Sequence, residues 1–135
     1  MIKFENVTAT YTEKVGIFNL TFHIPKGELV FLMGPTGAGK STVLKIIYRD
    51  IPISTGNLFV NGEDIGKIRR RHVPRFRRKI GMVFQNFELY PHLSVVKNIK
   101  LAQLKVLKRS VEEANQKTIQ LLERVGLADQ ALKFP

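Results

Sequence analysis

A glycine-rich segment that ends in a lysine and two hydroxyl residues is the part of this sequence best suited to bind phosphate. Residues 34–42 read GPTGAGKST. They fit the pattern G-x-x-x-x-G-K-[ST] through Gly34, Gly39, Lys40 and Ser41. Glycines let the backbone curl so that successive N–H groups form a nest for an anion, the lysine reaches the β- and γ-phosphates, and the hydroxyl can bind Mg²⁺. The segment predicts nucleotide binding, against the plainer alternative of a structural glycine turn.

The elements on either side of this segment are those that the motif requires. Residues 28–33 form a short apolar run that is typical of a buried parallel strand. Residues 42–48 predict a helix, whose N-terminus would add partial positive charge beside the phosphates. A second apolar run at 80–84 also predicts a buried strand and ends at Gln85, where open α/β sheets place their ligands.

Composition restricts the class of protein. The chain has 135 residues, of which 44% are hydrophobic, and this suits one soluble domain. No apolar stretch approaches the ~18 residues of a membrane span, and the N-terminus lacks the pattern of a signal peptide. Since there is no cysteine, disulfides, a zinc site and thiol catalysis are not expected. A cytosolic location is the simplest expectation.

The net charge of +11 has several open explanations: nucleic acid, an anionic membrane surface, or a missing acidic portion of the chain. Residues 67–79 carry eight Lys or Arg and no acid. Sequence-specific DNA binding is not expected, because no helix-turn-helix, zinc motif or aromatic platform accompanies the charge. The run is either a solvated surface or a recognition patch, for which anionic lipid headgroups are the candidate ligand.

Periodicity predicts two further groups of elements. Alternating residues predict strands at 2–8, 17–24 and 57–60, the last stopped by a tight turn at Asn61-Gly62. These strands suggest an antiparallel layer that lies against a parallel sheet.

After residue 91 the pattern becomes helical. Ser94 is the candidate N-cap of a helix at 95–107, and the capping-box pattern at 110–113 starts a helix that Gly126 ends. We therefore predict that the chain divides into a nucleotide-binding core at 1–90, with the antiparallel layer and the P-loop, and part of a helical subdomain at 91–135.

Over its whole length the sequence resembles the ATP-binding subunit of ABC transporters. The resemblance rests on Tyr11, the segment 34–42, IGMVFQ at 80–85 and VGLAD at 125–129. It implies an α/β fold, a P-loop NTPase of the ABC type. That fold has an antiparallel β layer, a partial parallel sheet with helices, and the start of a helical subdomain that is incomplete C-terminally.

The resemblance also implies a site. ATP and Mg²⁺ are the implied cofactors, with Lys40 and Gln85 as catalytic residues and with Ser41 and Gln85 as metal ligands. Tyr11 would stack on adenine, although an aromatic residue after a strand is also common in packing. The nucleotide-binding residues that it implies are Tyr11, Gly34, Pro35, Thr36, Gly37, Ala38, Gly39, Lys40, Ser41 and Thr42.

Two subgroups of the family compete. Residues 28–85 look like FtsE, the ATPase of a bacterial cell-division complex, whereas residues 86–129 look more like the ATPases of polar amino-acid importers. We expect the FtsE-like function, with the importer as the alternative. Both imply a transmembrane partner, FtsX-like or a permease, and a homodimer in the full-length form. Both also imply a peripheral location on the cytoplasmic face of the cell membrane.

Several family motifs normally follow the segments matched here. The 135 residues contain no LSGGQ signature, no Walker B strand with its aspartate and adjacent glutamate, and no histidine in the context of the family's switch histidine. The sequence therefore leaves open whether this chain turns over ATP. A catalytically dead nucleotide-binding fragment is the third alternative.

Overall fold

The structure is a computed structural model that describes residues 1–12 and 15–135. Its contacts divide into two units, Met1–Gly81 and Met82–Pro135. The domain boundary that the sequence predicts at residue 90 remains a prediction.

The first unit is built on a four-stranded antiparallel sheet in the order β2-β1-β3-β4. The strands are β1 Ile2–Thr12, β2 Val15–Ile24, β3 Thr55–Val60 and β4 Glu63–Asp64. The three strands expected from alternation are confirmed, and each is longer than predicted. The turn expected between β3 and β4 is also confirmed, because Asn61 and Gly62 both have a positive φ, 50° and 83°.

The core of this unit lies between the sheet and one helix. Phe4 on β1 pairs with Phe22 on β2, and the two rings stack with centroids 4.4 Å apart. Helix α1, Lys40–Ile47, buries Val43 and Ile46 in the same cluster as Phe4. Burial of such a side chain contributes ~1.5–3 kcal/mol relative to exposure, so the apolar face of α1 fixes this helix against the sheet.

The two apolar runs expected to form parallel strands are not strands, and this prediction is wrong for the described residues. Residues 28–33 and 80–84 form no ladder. Within the first run Leu29, Phe31 and Met33 are more than three-quarters exposed. A run of apolar residues indicates a tendency towards burial but does not say which strand supplies the hydrogen bonds, and no described strand lies beside this backbone.

The basic segment forms a series of short turns. Two 3-10 turns, Ile65–Lys67 and Arg70–His72, precede helix α2 at Val73–Arg77. Pro74 lies in the first turn of α2, where the missing N–H costs no intrahelical bond. Ile65 and Phe76 are buried and anchor the segment in the core of the first unit.

The second unit contains α3 Val95–Lys105, α4 Val111–Arg124 and a 3-10 turn at Ala128–Gln130. Both predicted helices are confirmed, and Gly126 follows α4 with a φ of 69°. Ser94 is the N-cap of α3 by position, but its side chain accepts no capping bond. None of the described helices is long and apolar enough to cross a membrane.

The first turn of α3 is capped by main chain instead. The N–H groups of Val95 and Val96 donate to the carbonyls of Lys133 and Ala131 at 2.8 and 2.9 Å. These bonds satisfy two of the donors that every helix N-terminus leaves without an intrahelical partner.

A buried polar network joins α3 to α4. The Nε2 of Gln103 donates to the Thr118 hydroxyl at 3.0 Å, and that hydroxyl donates to the Ala114 carbonyl at 2.6 Å. Arg109 donates to the Gln103 Oε1 at 2.9 Å. Because an unpaired polar group would be costly in this buried place, the network specifies how the two helices meet.

The predicted capping box of α4 is complete. The Glu113 N–H donates to the Ser110 hydroxyl at 3.1 Å, and the Ser110 N–H donates to the Glu113 carboxylate at 2.9 Å. The backbone N–H of Ser110, then its hydroxyl and the charge of Arg109, hold the pKa of Glu113 below its ordinary value. Bonds to the ionised form are the physical cause.

We expect the stability of α4 to depend on pH through this carboxyl. The pKa of Glu113 is lowered in the folded state. The ionised carboxyl therefore contributes fully to the free energy of unfolding above the ordinary pKa of 4.5, and this contribution is lost as the pH falls through the lowered pKa. Glu113→Gln keeps an acceptor but cannot titrate. Far-UV circular dichroism from pH 7 to pH 3 should show a larger acid loss of helicity in the parent; superimposable curves would contradict the assignment.

Candidate nucleotide-binding site

The loop that leads into α1 adopts its shape through two left-handed glycines. Gly37 and Gly39 have φ values of 85° and 86°, a region that residues with a side chain rarely adopt. A Cβ atom at Gly39 would also lie 3.0 Å from the Cγ2 of Ile17 on β2. The second glycine is therefore required both by its backbone angles and by the close approach of the sheet.

Lys40 folds back over this loop. Its Nζ donates to the carbonyl oxygens of Gly34 and Pro35, both at 2.7 Å. The same loop is closed by a turn in which the Ala38 N–H donates to the Pro35 carbonyl at 3.2 Å. The ammonium is therefore placed at the start of the segment 34–42.

The N-terminus of α1 leaves its first N–H groups to a ligand or to water. Gly39 is the N-cap and has no side chain to cap the helix, and the first turn carries no acidic residue. Four N–H groups at a helix start have no intrahelical partner, and aligned donors with the helix dipole favour an anion. The Ser41 side chain is exposed there, and Thr42 is half-buried.

Tyr11 lies at the end of the sheet on the side of this loop. Ile17, which approaches Gly39, pairs with Ala9 on β1. Tyr11 is two residues further along β1, a rise of roughly 7 Å, and its side chain is half-exposed. The exposed ring leaves both roles open to test, a surface for a base to stack on and a packing residue.

Gln85 lies in the second unit, exposed in a turn at 85–88. This turn holds two consecutive left-handed residues without glycine, Phe87 and Glu88, with φ values of 58° and 50°. Such backbone strain concentrates at functional sites. The sequence did not predict it, since neither position carries the Gly or Asn that marks left-handed backbone.

Asn98 is a residue that the sequence did not single out. Its Nδ2 donates to the carbonyls of Tyr90, Leu93 and Ser94 at 2.9–3.2 Å, and its Oδ1 accepts from the Tyr90 N–H at 2.9 Å. One side chain thus ties α3 to the segment that follows Gln85. The sequence does not predict this role, because the partners of Asn98 are backbone carbonyls, which every residue carries.

Arg77 is the second residue that the sequence missed. It donates to the carbonyls of Tyr48 and Arg49 at 3.0 and 3.1 Å, and its guanidinium lies 4.4 Å from the centroid of the Tyr48 ring. Asp50 lies 3.6 Å away. A cation at the C-terminal end of α1 satisfies carbonyls and complements the helix dipole.

An apolar cavity of about 570 Å³ lies beside this loop but does not suit phosphate. Lys40 borders it, and its other linings are largely aliphatic or aromatic, among them Ile17, Phe22, Leu32 and Val43. A charged phosphate would lose its hydration there without compensating donors. The loop backbone, not this cavity, has the chemistry of a phosphate site.

Within residues 1–12 and 15–135, no group of three or more His, Asp or Glu side chains lies together to hold a metal. Mg²⁺ in nucleotide sites keeps several waters and is bound mainly by phosphates and one or two protein oxygens. The exposed Ser41 hydroxyl fits that donor set.

The chain was compared with known proteins. The family model described as ABC transporter matches residues 17–134. The chain is 42% identical over 135 residues to the glutamate/aspartate import ATP-binding protein GltL of Escherichia coli K12, covering all of the chain and 56% of that protein. It is 44% identical to the glutamine transport ATP-binding protein GlnQ of Bacillus subtilis, of which it covers 55%.

A solved structure supports the same assignment. The dimeric, post-hydrolysis structure of the ATP-binding cassette MJ0796 bound to ADP and Pi matches with a TM-score of 0.87 and 32% identity. The match covers all of this chain and 62% of the MJ0796 chain. The predicted fold class, an α/β nucleotide-binding fold of the ABC type, is confirmed by this likeness, although residues 1–12 and 15–135 form no parallel strands.

The comparisons correct the expected subgroup. The named relatives that match over all 135 residues are transport ATP-binding proteins for glutamate, aspartate or glutamine, so the findings favour the importer alternative over the FtsE-like function. The chain spans about half the length of the curated relatives that it matches. The family model covers most of the chain, and the chain belongs to the ABC transporter family.

Proposed function

We propose that this chain binds Mg·ATP through residues 34–42 and is the ATP-binding part of an importer for polar amino acids. The proposal of ATP binding is supported by the Lys40 ammonium, which is bonded to the loop carbonyls of Gly34 and Pro35. It lies next to the N-terminus of α1, which no side chain caps. The proposal of an importer rests on the relatives, whose names specify glutamate, aspartate and glutamine.

The proposed phosphate site works by electrostatics. The N–H groups of the loop and of the first turn of α1 would donate to the phosphate oxygens, and the Lys40 ammonium would exchange its bonds to Gly34 and Pro35 for the β- and γ-phosphates. Thr36 and Ala38 are exposed on the loop and would contribute main chain, while Thr42 is placed near the first turn. The protein mainly positions the phosphates and neutralises their charge, as in phosphoryl transfer generally.

Mg²⁺ would be held by the Ser41 hydroxyl and the bound phosphates, and it would supply charge neutralisation. By the resemblance to the family, Gln85 would contribute an amide oxygen to the metal and orient water. The turn 85–88, which contains Gln85 and two left-handed residues without glycine, supports a functional role, since such backbone strain concentrates at functional sites.

The proposed partners follow from the same family. MJ0796 is described as dimeric, and we infer a homodimer for the full-length form of this protein. A permease would be its membrane partner, at the cytoplasmic face of the membrane. The segment 86–94, organised by Asn98, is our candidate contact surface, and its large exposed side chains Phe87, Leu89 and Tyr90 support that role.

We expect Lys40→Ala to weaken binding of a fluorescent ATP analogue by roughly 10- to 150-fold, because one charge-assisted hydrogen bond is worth ~1.5–3 kcal/mol. Lys45→Ala is the matched control, since Lys45 is exposed on the last turn of the same helix. Both variants must have the circular dichroism of the parent. Equal affinities for the parent and the folded Lys40→Ala variant would exclude the loop as the binding site.

We expect Tyr11→Ala to weaken ATP by roughly 5- to 150-fold, since stacking of a base on an aromatic ring is worth ~1–3 kcal/mol. The affinity for inorganic triphosphate, which has no base, should not change. Tyr11→Phe keeps the ring and should bind ATP like the parent. The same loss for both ligands would make Tyr11 a packing residue.

We expect a photo-crosslinker at position 88 of the full-length protein to capture a permease subunit in cells. The reason is that Glu88 lies in the strained turn after Gln85, between the exposed Phe87 and Leu89. A crosslinker at Gln116, exposed on α4, serves as the control. Capture of a cell-division membrane protein instead would contradict the importer.

A further inference from the structure

The charges of the basic segment 67–79 fall into two groups. Three cations have carboxylate partners: Lys67 with Asp64 at 3.0 Å, Lys79 with Glu63 at 2.6 Å and Arg77 with Asp50 at 3.6 Å. The rest of the segment is different. Among the described residues, the exposed arginines whose guanidinium groups have no ion-pair or hydrogen-bond partner are Arg69, Arg70, Arg71, Arg75 and Arg78.

Three of these free arginines lie at helical spacing, with Arg71 in the second 3-10 turn, Arg75 in α2 and Arg78 at the C-cap of α2. Arg71, Arg75 and Arg78 are spaced by four and three residues, the spacing that places side chains next to one another on a helix surface. Like charges at this spacing repel one another. The three guanidinium groups therefore repel one another while no anion is bound. A dense array of negative charge would relieve this repulsion.

The backbone that carries these arginines is fixed. The Phe76 side chain is buried in the core of the first unit. The Arg77 guanidinium donates to the carbonyls at the C-terminal end of α1. The free guanidinium groups are thus presented from an anchored support. Little conformational entropy of the backbone remains to be lost when they bind.

We propose that Arg71, Arg75 and Arg78 form a docking surface for the phosphate groups of anionic lipid headgroups. Guanidinium groups match phosphate oxygens in geometry and in charge. A membrane surface offers many phosphates in one plane, which suits several arginines at helical spacing. This surface lies outside the proposed nucleotide site and adds a direct membrane contact to the one through a permease.

The neighbouring cleft is a poorer candidate for a single phosphate. It has a volume of about 430 Å³ and is lined by Arg49, Asp50, Pro52, Arg70 and Val73. The Asp50 carboxylate would repel a phosphate inside it. Arg69 and Arg75 also border clefts that contain Glu63, but this carboxylate is already paired with Lys79. The outer surface marked by Arg71, Arg75 and Arg78 is the favoured place.

Sedimentation with vesicles tests this proposal in the absence of nucleotide. One set of vesicles contains phosphatidylglycerol and phosphatidylcholine in equal parts, and the other contains phosphatidylcholine alone. Each basic residue near an anionic membrane is worth about fivefold in partition, so Arg71→Gln with Arg75→Gln should lower binding to the anionic vesicles roughly 25-fold. Lys117→Gln with Arg124→Gln removes the same charge from exposed positions of α4 and is the matched control.

The proposal requires that the parent binds anionic but not neutral vesicles, that the arginine pair lowers this binding and that the control pair does not. An equal loss of vesicle binding in the arginine double variant and in the control double variant would mean attraction by net charge alone and would overturn the proposal. Stronger binding to duplex DNA than to vesicles, or competition by free inorganic phosphate at low concentration, would also overturn it. Because no ATP is present, any of these results leaves the proposed nucleotide site untouched.

Discussion

The two bonds from the Lys40 ammonium to the carbonyls of Gly34 and Pro35 are the interaction on which the proposed site depends. They hold the start of the loop against the start of α1, while the left-handed Gly37 and Gly39 allow the backbone between them to turn. The result is a charged group and a set of N–H donors gathered around one point. A bound phosphate would replace these two carbonyls on the Lys40 ammonium, while the loop backbone, already turned by its glycines, would need little further ordering.

Helix α1 connects this point to the rest of the first unit. Its apolar side, with Val43 and Ile46, is buried against the sheet, and its C-terminal carbonyls are bonded by Arg77. Cations thus lie at both ends for different reasons: Lys40 faces the proposed ligand, and Arg77 satisfies the helix. The segment that carries the proposed membrane surface is fastened directly to the helix that carries the proposed phosphate site.

The local features of the fold could be predicted from the sequence, and the non-local ones could not. Strands β1 to β3, helices α1, α3 and α4, and the capping box at Ser110 and Glu113 follow from periodicity and from residues close in sequence. The run 28–33 was predicted wrongly, because pairing depends on a neighbour that the run itself does not specify. In the candidate site the phosphate loop was evident from its glycines, whereas Asn98 and Arg77 act through distant carbonyls and left no pattern.

Amide NMR of the chain, recorded while inorganic triphosphate and Mg²⁺ are added, tests the central claim most directly. The phosphates alone should bind where donors and the lysine converge. We predict that the largest shift changes fall on the amides of residues 37–42, which include the left-handed glycines and the first turn of α1. Shift changes centred on residues 67–79 instead, with the loop amides unmoved, would contradict the account.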